Sequence, residues 1–378
     1  MEPINLTVIS HACVLPENQK VWAAVARHAG INLRLIAPRR WKSSLHGWLD
    51  FAALPELWDM AEGVRVHWPG SLHLHTYSDL GPALTTEVPD VLFLDEDPHS
   101  LVAWQILGLQ AILSFQTIIS LKQNVLKHYP FPFSLIERGL FRSTSAAAAT
   151  SEECLQVARL KHFRRPATII HYPVDVHAFQ PGSPGPGAPD RPLRVGYAGR
   201  LVPEKGVEDL IIAAARLQAQ RPVELVIAGS GPDQRRLESL ADSLGNLSGR
   251  VQWQQVSPED MPAWYRALDL LVLPSRTTRR WKEQFGRVLA EAMACGVPVV
   301  GSSSGFIPEM IEATGGGVIF PEGDAEALAR AILELAGDAA QYAETARRGR
   351  EGVVALYSVE AVAEKIAELV RSVMTTEA

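Results

Sequence analysis

The chain has 378 residues, more than one hydrophobic core usually supports, so two domains are expected. Hydrophobic residues make up 47% and charged residues 21%, as in ordinary globular proteins, and the formal net charge of -6 argues against a nucleic-acid binder held by phosphate neutralisation. The first ten residues lack the basic segment of a secretory signal, and no uninterrupted apolar run reaches membrane-spanning length. Three widely spaced cysteines are typical of a reducing compartment, so we expect a cytoplasmic protein.

Short apolar runs alternate with amphipathic segments of helix length along the first half of the chain. This alternation predicts a parallel sheet covered by helices. The predicted strands are residues 5–10, 32–36, 64–68, 91–94, 111–115 and 167–171. The predicted helices include 19–29, 99–108, 134–142 and 151–161, the last of which begins with a serine and two acids, a good helix start.

The segment 180–192, QPGSPGPGAPDRP, is dense in proline and glycine and predicts a linker between a domain of residues 1–179 and a domain of residues 193–358. The alternation then restarts, with predicted strands at 193–198, 223–228, 250–254, 270–273, 297–301 and 317–320. Predicted helices lie at 207–219, 232–244, 258–267, 286–294, 307–313 and from 324 onward. A last amphipathic helix, within 359–378, is expected to pack back on the first domain. We expect an α/β protein of two doubly wound, Rossmann-like domains facing a central cleft, with ligands at the carboxyl ends of the strands.

Residues 273–298, LPSRTTRRWKEQFGRVLAEAMACGVP, combine a strand end, a basic loop and a helix start. A helix amino terminus presents unpaired N–H groups and a partial positive charge, so it binds phosphate readily. Glu283 lies just before this helix and Glu291 lies within it. Carboxylates beside a phosphate site indicate that they accept hydrogen bonds from hydroxyl groups, such as those of a sugar or a ribose. An amphipathic helix with a salt-bridged surface explains the spacing equally well. The surrounding cations are Arg276, Arg279, Arg280, Lys282 and Arg287.

Two further loops follow predicted strands of the second half. Gly199 leads into Arg200 and Lys205; glycine lets backbone N–H groups approach a ligand, and the two cations suit phosphate oxygens. Gly229 belongs to a Gly-Ser-Gly turn between a strand and a helix. Each loop taken alone is also explained as an ordinary strand-to-helix turn. Three such loops at the strand ends of one domain together favour a ligand site.

Five segments of the second half carry a family resemblance: GYAGRLVPEKG, LVIAGSGP, DLLVLPS, EQFGRVLAEAMACGVPVVGSSSGFIPEMI and GGGVIFPEGD. With them, residues 193–338 resemble the C-terminal domain of retaining glycosyltransferases of family 4, which have the GT-B fold. Glu283 and Glu291 match that family's Glu-x7-Glu signature. The resemblance implies a hexosyltransferase that uses a nucleotide-diphosphate sugar, with uridine as the base expected from family frequency.

The resemblance also implies roles for individual residues. Arg200 and Lys205 would hold the donor diphosphate as charge develops on the leaving nucleotide, and Glu283 would accept hydrogen bonds from the sugar. No cofactor and no metal ion are expected, because no D-x-D element accompanies these residues and fixed cations take the place of a metal. The other donor-binding residues would be Gly199 and Gly229 in the loops, Gln252 and Trp253 near the base, the backbone of Phe285 and Gly286 at the sugar, that of Arg287 and Val288 at the phosphates, and Glu291 at the ribose.

The first half would bind the acceptor, and three of its residues are candidates. Glu96 lies in the acidic segment 95–100, which either caps the helix that follows or lines the acceptor side, and the resemblance favours the second role. By the resemblance, Gln116 follows a strand and takes the position at which many family members have a histidine. A glutamine side chain cannot act as a general base. His11, after the first strand, is a rival for that role or a structural histidine.

The resemblance implies transfer with retained configuration by a front-face route, in which the departing phosphate assists the acceptor hydroxyl. The partners would be the nucleotide-sugar donor and a glycan or lipid-linked acceptor, with no nucleic acid. The basic and aromatic segment 122–142 either meets the membrane interface at the inner face or packs within the first domain. A non-catalytic nucleotide-sugar sensor and a nucleotide-sugar epimerase are the alternatives.

Overall fold

A computed structural model describes residues 2–43, 47–182 and 191–375 of the chain. The chain divides into two compact units, which we call unit 1 (Met1–Pro173 and Val359–Ala378) and unit 2 (Val174–Ser358). The last helix therefore belongs to the same unit as the first half of the chain. Most of the predicted linker, residues 183–190, lies outside the described residues.

Unit 1 is built on a seven-stranded parallel sheet with the strand order β11-β10-β9-β8-β1-β2-β5. Two short antiparallel pairs, β3 with β4 and β6 with β7, accompany it. The strands are β1 (Ile4–Ile9), β2 (Ile31–Pro38), β3 (Arg40–Ser43), β4 (Gly47–Asp50), β5 (Ala61–Val64), β6 (Val66–His67), β7 (Thr76–Tyr77), β8 (Val91–Leu94), β9 (Gln116–Leu121), β10 (Ala146–Ala149) and β11 (Ala167–Ile169).

Unit 2 is built on a six-stranded parallel sheet with the strand order β14-β13-β12-β15-β16-β17. Its strands are β12 (Leu193–Ala198), β13 (Val223–Ala228), β14 (Val251–Gln254), β15 (Leu270–Leu273), β16 (Val299–Ser302) and β17 (Gly317–Phe320). The predicted strands 193–198, 223–228, 270–273 and 317–320 are confirmed to the residue, because each is a short apolar run bounded by turn residues.

Helices connect the parallel strands in both units, as a parallel sheet requires. They are α1 (Pro16–Ala26), α2 (Leu80–Thr86), α3 (Leu101–Gln110), α4 (Phe133–Ser143), α5 (Glu152–Leu160), α6 (Val207–Leu217), α7 (Gln234–Ser243), α8 (Met261–Arg266), α9 (Arg287–Ala294), α10 (Ile307–Thr314), α11 (Ala325–Gly337), α12 (Ala339–Tyr357) and α13 (Val359–Thr375). The predicted start of α5 is confirmed, since the Ser151 hydroxyl accepts a hydrogen bond from the Cys154 amide at 3.2 Å.

The α13 helix completes the core of unit 1. Its apolar residues recur at helical spacing, and Val362, Ile366 and Val370 are almost fully buried in one cluster with Val25 of α1. A second cluster of unit 1 contains buried residues of α3 and α4. Helices therefore cover the sheet as a doubly wound fold requires.

The prediction of a strand at residues 111–115 is wrong. Helix α3 ends at Gln110, the following residues form a turn in which Ile112 is 72% exposed, and the strand begins only at Gln116. The run TIISL, which is rich in β-branched residues, forms that strand instead. Strand β10, four consecutive alanines, was not predicted because alanine has no β preference and burial alone places it there.

In each sheet the chain leaves the first strand in one direction and later returns to its other side. The reversal lies between β1 and β8 in unit 1 and between β12 and β15 in unit 2. Ligands of open parallel sheets bind at the carboxyl ends of the strands next to such a reversal. These two points are where functional side chains are expected.

Candidate functional site

The loops that follow β12 and β13 in unit 2 approach each other backbone to backbone. A Cβ atom on Gly229 would lie 1.9 Å from the Gly199 carbonyl oxygen, and Gly229 has a φ of 145°. A side chain therefore does not fit there, and glycine also tolerates this backbone conformation. The close contact brings the two predicted donor-site glycines together at the carboxyl edge of the sheet.

Lys205, in the loop after β12, meets Glu283 from the loop after β15. The Lys205 Nζ lies 2.6 Å from the Glu283 Oε2, and the Ser275 hydroxyl donates to the same oxygen at 2.7 Å. Both charged side chains are largely shielded from solvent, with exposed fractions of 15% and 9%. The Lys205 ammonium also lies 4.9 Å from the centre of the Trp281 ring. The structure thus brings two of the three predicted catalytic residues into direct contact.

Helix α9 begins immediately beyond this pair. Gly286 is its N-cap residue with a φ of 76°, and the backbone N–H groups of the first turn lack partners within the helix. Phe285 is buried and holds the turn, since its ring lies 5.5 Å from Phe306 and 5.6 Å from Tyr357. The helix amino terminus, with the exposed Arg287 as its first residue, therefore provides the geometry of an anion site beside Lys205.

Glu291 lies on α9, where a tyrosine holds its carboxylate. The Tyr265 hydroxyl donates to Glu291 Oε2 at 2.7 Å. Burial, and then the charge of Glu291, raises the pKa of Tyr265, so the phenol stays protonated and remains a donor. The carboxylate is thereby oriented and can accept further hydrogen bonds from a ligand hydroxyl.

Other predicted donor-site residues lie elsewhere in unit 2. Arg200 is exposed, and its carbonyl oxygen accepts a hydrogen bond from the Tyr197 hydroxyl at 2.8 Å. Gln252 and Trp253 lie within the edge strand β14 rather than beyond its end, and the Gln252 amide donates to Glu224. The Glu224 carboxylate comes from the amino-terminal part of β13, so the Gln252 side chain turns away from the carboxyl edge.

One of the loop cations predicted to surround the helix start has a structural role instead. The Arg276 guanidinium forms a bidentate ion pair with the carboxylate of Asp209, which is buried on α6. The Arg276 amide also donates to the Glu204 carbonyl at 2.8 Å. These bonds tie the loop after β15 to the loop that carries Lys205, which positions Lys205 against Glu283.

Three side chains of this site were missed by sequence reasoning: Ser275, Tyr265 and Trp281. Ser275 had a usable signal, because it lies two residues beyond the end of β15, at the carboxyl edge of the sheet. Tyr265 and Trp281 had none, since aromatic residues in a helix and a loop more often pack than bind. Their roles appear only when the chain is folded.

In unit 1, His11 and Glu96 meet at the reversal between β1 and β8. The Glu96 carboxylate is fully buried and accepts from the His11 amide at 2.7 Å and, through its other oxygen, contacts the His11 ring at Nδ1. Burial alone would raise the pKa of Glu96, but the charge and hydrogen bond of His11 outweigh it, and the pKa lies well below its usual range. Two of the three predicted acceptor-side residues are thus direct partners.

Gln116 does not join them, and the prediction that it follows a strand is wrong. It begins β9 at the level of Val91, the first residue of β8, so it lies at the opposite edge from Glu96. The residue that follows β9 is Lys122, whose Nζ lies 2.6 Å from Asp95 Oδ1. Burial alone would lower the pKa of Lys122, but Asp95 outweighs it and raises the pKa.

Asp95 is the centre of this second polar group of unit 1. It also accepts hydrogen bonds from the hydroxyls of Ser10, at 2.8 Å, and Ser120, at 2.7 Å. Asp95 and Glu96 therefore fix the loops after β1, β8 and β9 in one arrangement. Of the two roles considered for the acids of segment 95–100, capping of α3 is wrong, since its cap is the Ser100 hydroxyl, which accepts from the Ala103 amide.

Comparisons with known proteins show which family the second half of the chain is similar to. A family model described as "Glycosyl transferases group 1" matches residues 183–352. A GDP-mannose-dependent monoacylated alpha-(1-6)-phosphatidylinositol monomannoside mannosyltransferase of Corynebacterium glutamicum is 33% identical over 223 residues, which cover 54% of this chain and 56% of the relative. The chain spans about half the length of the curated relatives it matches.

Solved structures extend the similarity to the whole fold. Sucrose-phosphate synthase from Thermosynechococcus elongatus is 21% identical, with a TM-score of 0.72 over 99% of this chain and 100% of that one. The Anabaena protein HepE in complex with UDP is 20% identical, with a TM-score of 0.73 over 98% of this chain and 100% of that one. The predicted α/β fold with two Rossmann-like domains of the GT-B type is confirmed. The Lys205–Glu283 pair lies within residues 183–352, the part of the chain that is similar to this family.

Proposed function

We propose that the chain is a glycosyltransferase that moves a sugar from a nucleotide-diphosphate sugar to a hydroxyl acceptor. The observation that carries the proposal is the Lys205–Glu283 pair, 2.6 Å apart, beside the amino terminus of α9. A cation and a helix amino terminus suit a diphosphate, and a shielded carboxylate suits sugar hydroxyls. A donor that carries both groups fits this arrangement.

The proposed reaction proceeds with retained configuration by a front-face route. The bond between the anomeric carbon and the donor phosphate oxygen breaks as the bond to the acceptor oxygen forms on the same face. The proton of the acceptor hydroxyl passes to an oxygen of the departing phosphate. Lys205, Arg200 and the first N–H groups of α9 offset the negative charge that develops on the nucleotide, so transfer needs no metal ion at the diphosphate.

The remaining contacts of the donor follow from the same geometry. Glu283 accepts from hydroxyls of the sugar, while its bonds from Lys205 and Ser275 fix its orientation. Glu291, oriented by the Tyr265 hydroxyl, accepts from the ribose. The nucleotide is UDP in our proposal, from family frequency. Names of relatives include GDP-mannose-dependent enzymes and a solved neighbour contains UDP, so both nucleotides belong in the test.

The acceptor is a glycan or a lipid-linked glycan in this proposal, and unit 1 binds it through the surroundings of His11 and Glu96. The name of the relative from Corynebacterium glutamicum includes a phosphatidylinositol monomannoside, which supports a lipid-linked acceptor. None of the helices within residues 2–43, 47–182 and 191–375 is long and apolar enough to cross a bilayer. We also propose a peripheral contact with the inner face of a membrane through segment 122–142, in which Leu126 and Phe131 are exposed while Phe141 is buried.

Ligand binding is tested first by thermal shift with UDP, GDP and ADP, since a bound ligand stabilises by mass action. We expect one nucleotide to raise the melting temperature of the wild type, and Glu283→Gln to reduce turnover of its sugar donor. Glu334→Gln, an exposed acid of α11, is the matched control and should leave turnover unchanged.

Slow hydrolysis of the donor in the absence of acceptor separates the proposal from its alternatives. A transferase releases nucleotide and free sugar, a sensor releases neither, and an epimerase converts the sugar without releasing it. Determination of the product anomer by NMR tests the route, because an inverted product contradicts front-face transfer. Binding of none of the three nucleotides contradicts the proposal as a whole.

A further inference from the structure

We propose that His11, His75 and Glu96 of unit 1 form a binding site for a divalent transition-metal ion, Zn²⁺ in its simplest form. One ligand atom of each residue lies within 4.8 Å of the other two. The three residues of this His11–His75–Glu96 cluster belong to unit 1, whereas the residues of the proposed donor site belong to unit 2. The inference rests on the geometry of the cluster and not on the proposed transferase activity.

His75 provides the decisive observation. Its side chain is completely buried, and its Nδ1 lies 2.9 Å from the carbonyl oxygen of Ser71. A carbonyl oxygen only accepts hydrogen bonds, so Nδ1 carries a hydrogen, and in the neutral form of the ring Nε2 then presents a lone pair. Among the described residues no hydrogen-bond partner of Nε2 is found.

The His75 lone pair points at another electron-rich atom. Its Nε2 lies 3.4 Å from Glu96 Oε2, which is also fully buried. A nitrogen lone pair and a carboxylate oxygen repel each other, and burying such an unpaired group is costly. A cation between the two atoms removes the repulsion and uses both lone pairs.

The observed separation suits zinc. Two ligands at about 2.0 Å from a tetrahedral ion lie about 3.3 Å apart, close to the 3.4 Å between His75 and Glu96. The third ligand, His11 Nδ1, contacts the same carboxylate oxygen and moves outward when an ion enters. It is the member with room to do so, because 20% of its side chain is exposed whereas the other two are at 0%.

The surroundings of the cluster resemble the outer layer of protein zinc sites. The second Glu96 oxygen accepts from the His11 amide at 2.7 Å and from the Tyr77 hydroxyl at 3.1 Å, which fixes the carboxylate. The bond from His75 to a backbone carbonyl is the usual way in which a ligating histidine is oriented. The buried Trp41 ring covers the cluster, 4.8 Å from the His11 ring and 4.9 Å from the His75 ring.

The donor set also selects the class of ion. Two imidazole nitrogens and one carboxylate suit Zn²⁺ and its neighbours among the transition metals, whereas Mg²⁺ and Ca²⁺ prefer oxygen ligands. Three protein ligands leave a coordination position for water or a hydroxyl group. That position would open toward the exposed side of His11.

A second group of similar composition, His73, Asp97 and His99, provides the control. Here the His99 Nε2 is already paired with His73 Nδ1 at 2.8 Å, and the His99 ring stacks on Tyr129 at 3.6 Å. Its nitrogen therefore has a partner, and we do not assign an ion to this group.

The test measures zinc binding to the full chain, purified without a histidine tag and treated with a chelator. Calorimetric titration with ZnCl₂ should show one ion per chain for the wild type. His75→Gln and Glu96→Gln should each weaken binding at least about 100-fold, more than the loss of an outer-layer partner, whereas His99→Gln should leave it unchanged. Circular dichroism of each variant checks that it is folded.

Co²⁺ serves as a second probe that does not depend on activity. Bound Co²⁺ should give visible d–d absorption and quench tryptophan fluorescence, and Trp41→Phe should abolish most of the quenching without loss of binding. The proposal is overturned if the wild type binds no Zn²⁺, if His75→Gln binds as tightly as the wild type, or if His99→Gln loses the ion instead. The first result would mean that an extra proton, not a metal ion, sits between His75 and Glu96.

Discussion

Both sheets reverse direction next to their first strand, and the two reversal points carry carboxylates in different surroundings. In unit 2, Glu283 is compensated by Lys205, and glycines bring backbone groups to the surface of the site. In unit 1, Glu96 is enclosed by two histidines and a tyrosine, with no lysine in direct contact among the described residues. In our two proposals, the same edge of the same kind of sheet therefore binds an anionic ligand in one unit and a cation in the other.

Removal of the Lys205 ammonium should have the largest effect on the unit 2 site. Lys205→Ala leaves the Glu283 carboxylate without its nearest cation and removes a charge from the proposed diphosphate site. We expect kcat/KM to fall about 100- to 1,000-fold, as for the loss of one preorganised electrostatic group. Steady-state kinetics measures this, with the exposed Arg235→Ala of α7 as control; equal losses in both variants would contradict the role of Lys205.

The glycine contact of unit 2 should be the next most sensitive feature. In Gly229→Ala the new Cβ would lie 1.9 Å from the Gly199 carbonyl oxygen, so the two loops must separate. We expect the free energy of unfolding to fall by about 3 kcal/mol, which lowers Tm by roughly 6 to 12 °C for a unit of this size.

Gly323→Ala is the matched control for the glycine contact. Gly323 also has a positive φ, 79°, but nothing lies within 4 Å of its Cβ position. The free energy of unfolding of Gly323→Ala should fall by only about 1 kcal/mol, because of backbone strain. Differential scanning calorimetry compares the two variants, and similar losses would show that backbone strain, not the close contact, governs the loop.

Acid should weaken unit 1 through His99. Burial, and then the nearby His73, lowers the pKa of His99 from 6.5 to about 3. Below pH 6.5 the unfolded chain therefore binds a proton that the folded chain does not, and stability falls as the pH decreases toward 3. The slope is at most about 1.4 kcal/mol per pH unit. Urea unfolding between pH 7 and about 4 should show a smaller slope for His99→Gln than for the wild type or the exposed His128→Gln.

A matched pair of tyrosines should give the smallest and most selective effect. Tyr265 donates to Glu291 in unit 2, and Tyr77 donates to Glu96 in unit 1. Tyr265→Phe should weaken nucleotide binding about 5- to 10-fold, near 1 kcal/mol, whereas Tyr77→Phe should leave it unchanged. Calorimetric titration with the nucleotide measures both, and a loss in Tyr77→Phe alone would reverse the proposed roles of the two units.

Much of unit 2 was predictable because its signals are local. The strand before Gly199 and the helix after Gly286 follow from short apolar runs, glycine turns and helical periodicity. The segments around Glu283 and Glu291 also resemble a known family, and the family model covers them. Unit 1 was less predictable, since the apolar run at 111–115 had the composition of a strand but not the burial.

The sequence by itself determined the fold class and the position of the helix start after Gly286, and it predicted Lys205, Glu283, Glu291, His11 and Glu96 as site residues. Only the tertiary structure decided their partners: Ser275 and Trp281 around Lys205 and Glu283, Tyr265 on Glu291, and His75 opposite Glu96. Backbone periodicity is set within a few residues, so it can be read from the chain. Pairs such as His75 and Glu96 depend on which loops the sheet order brings to one edge, and that order is a property of the whole fold.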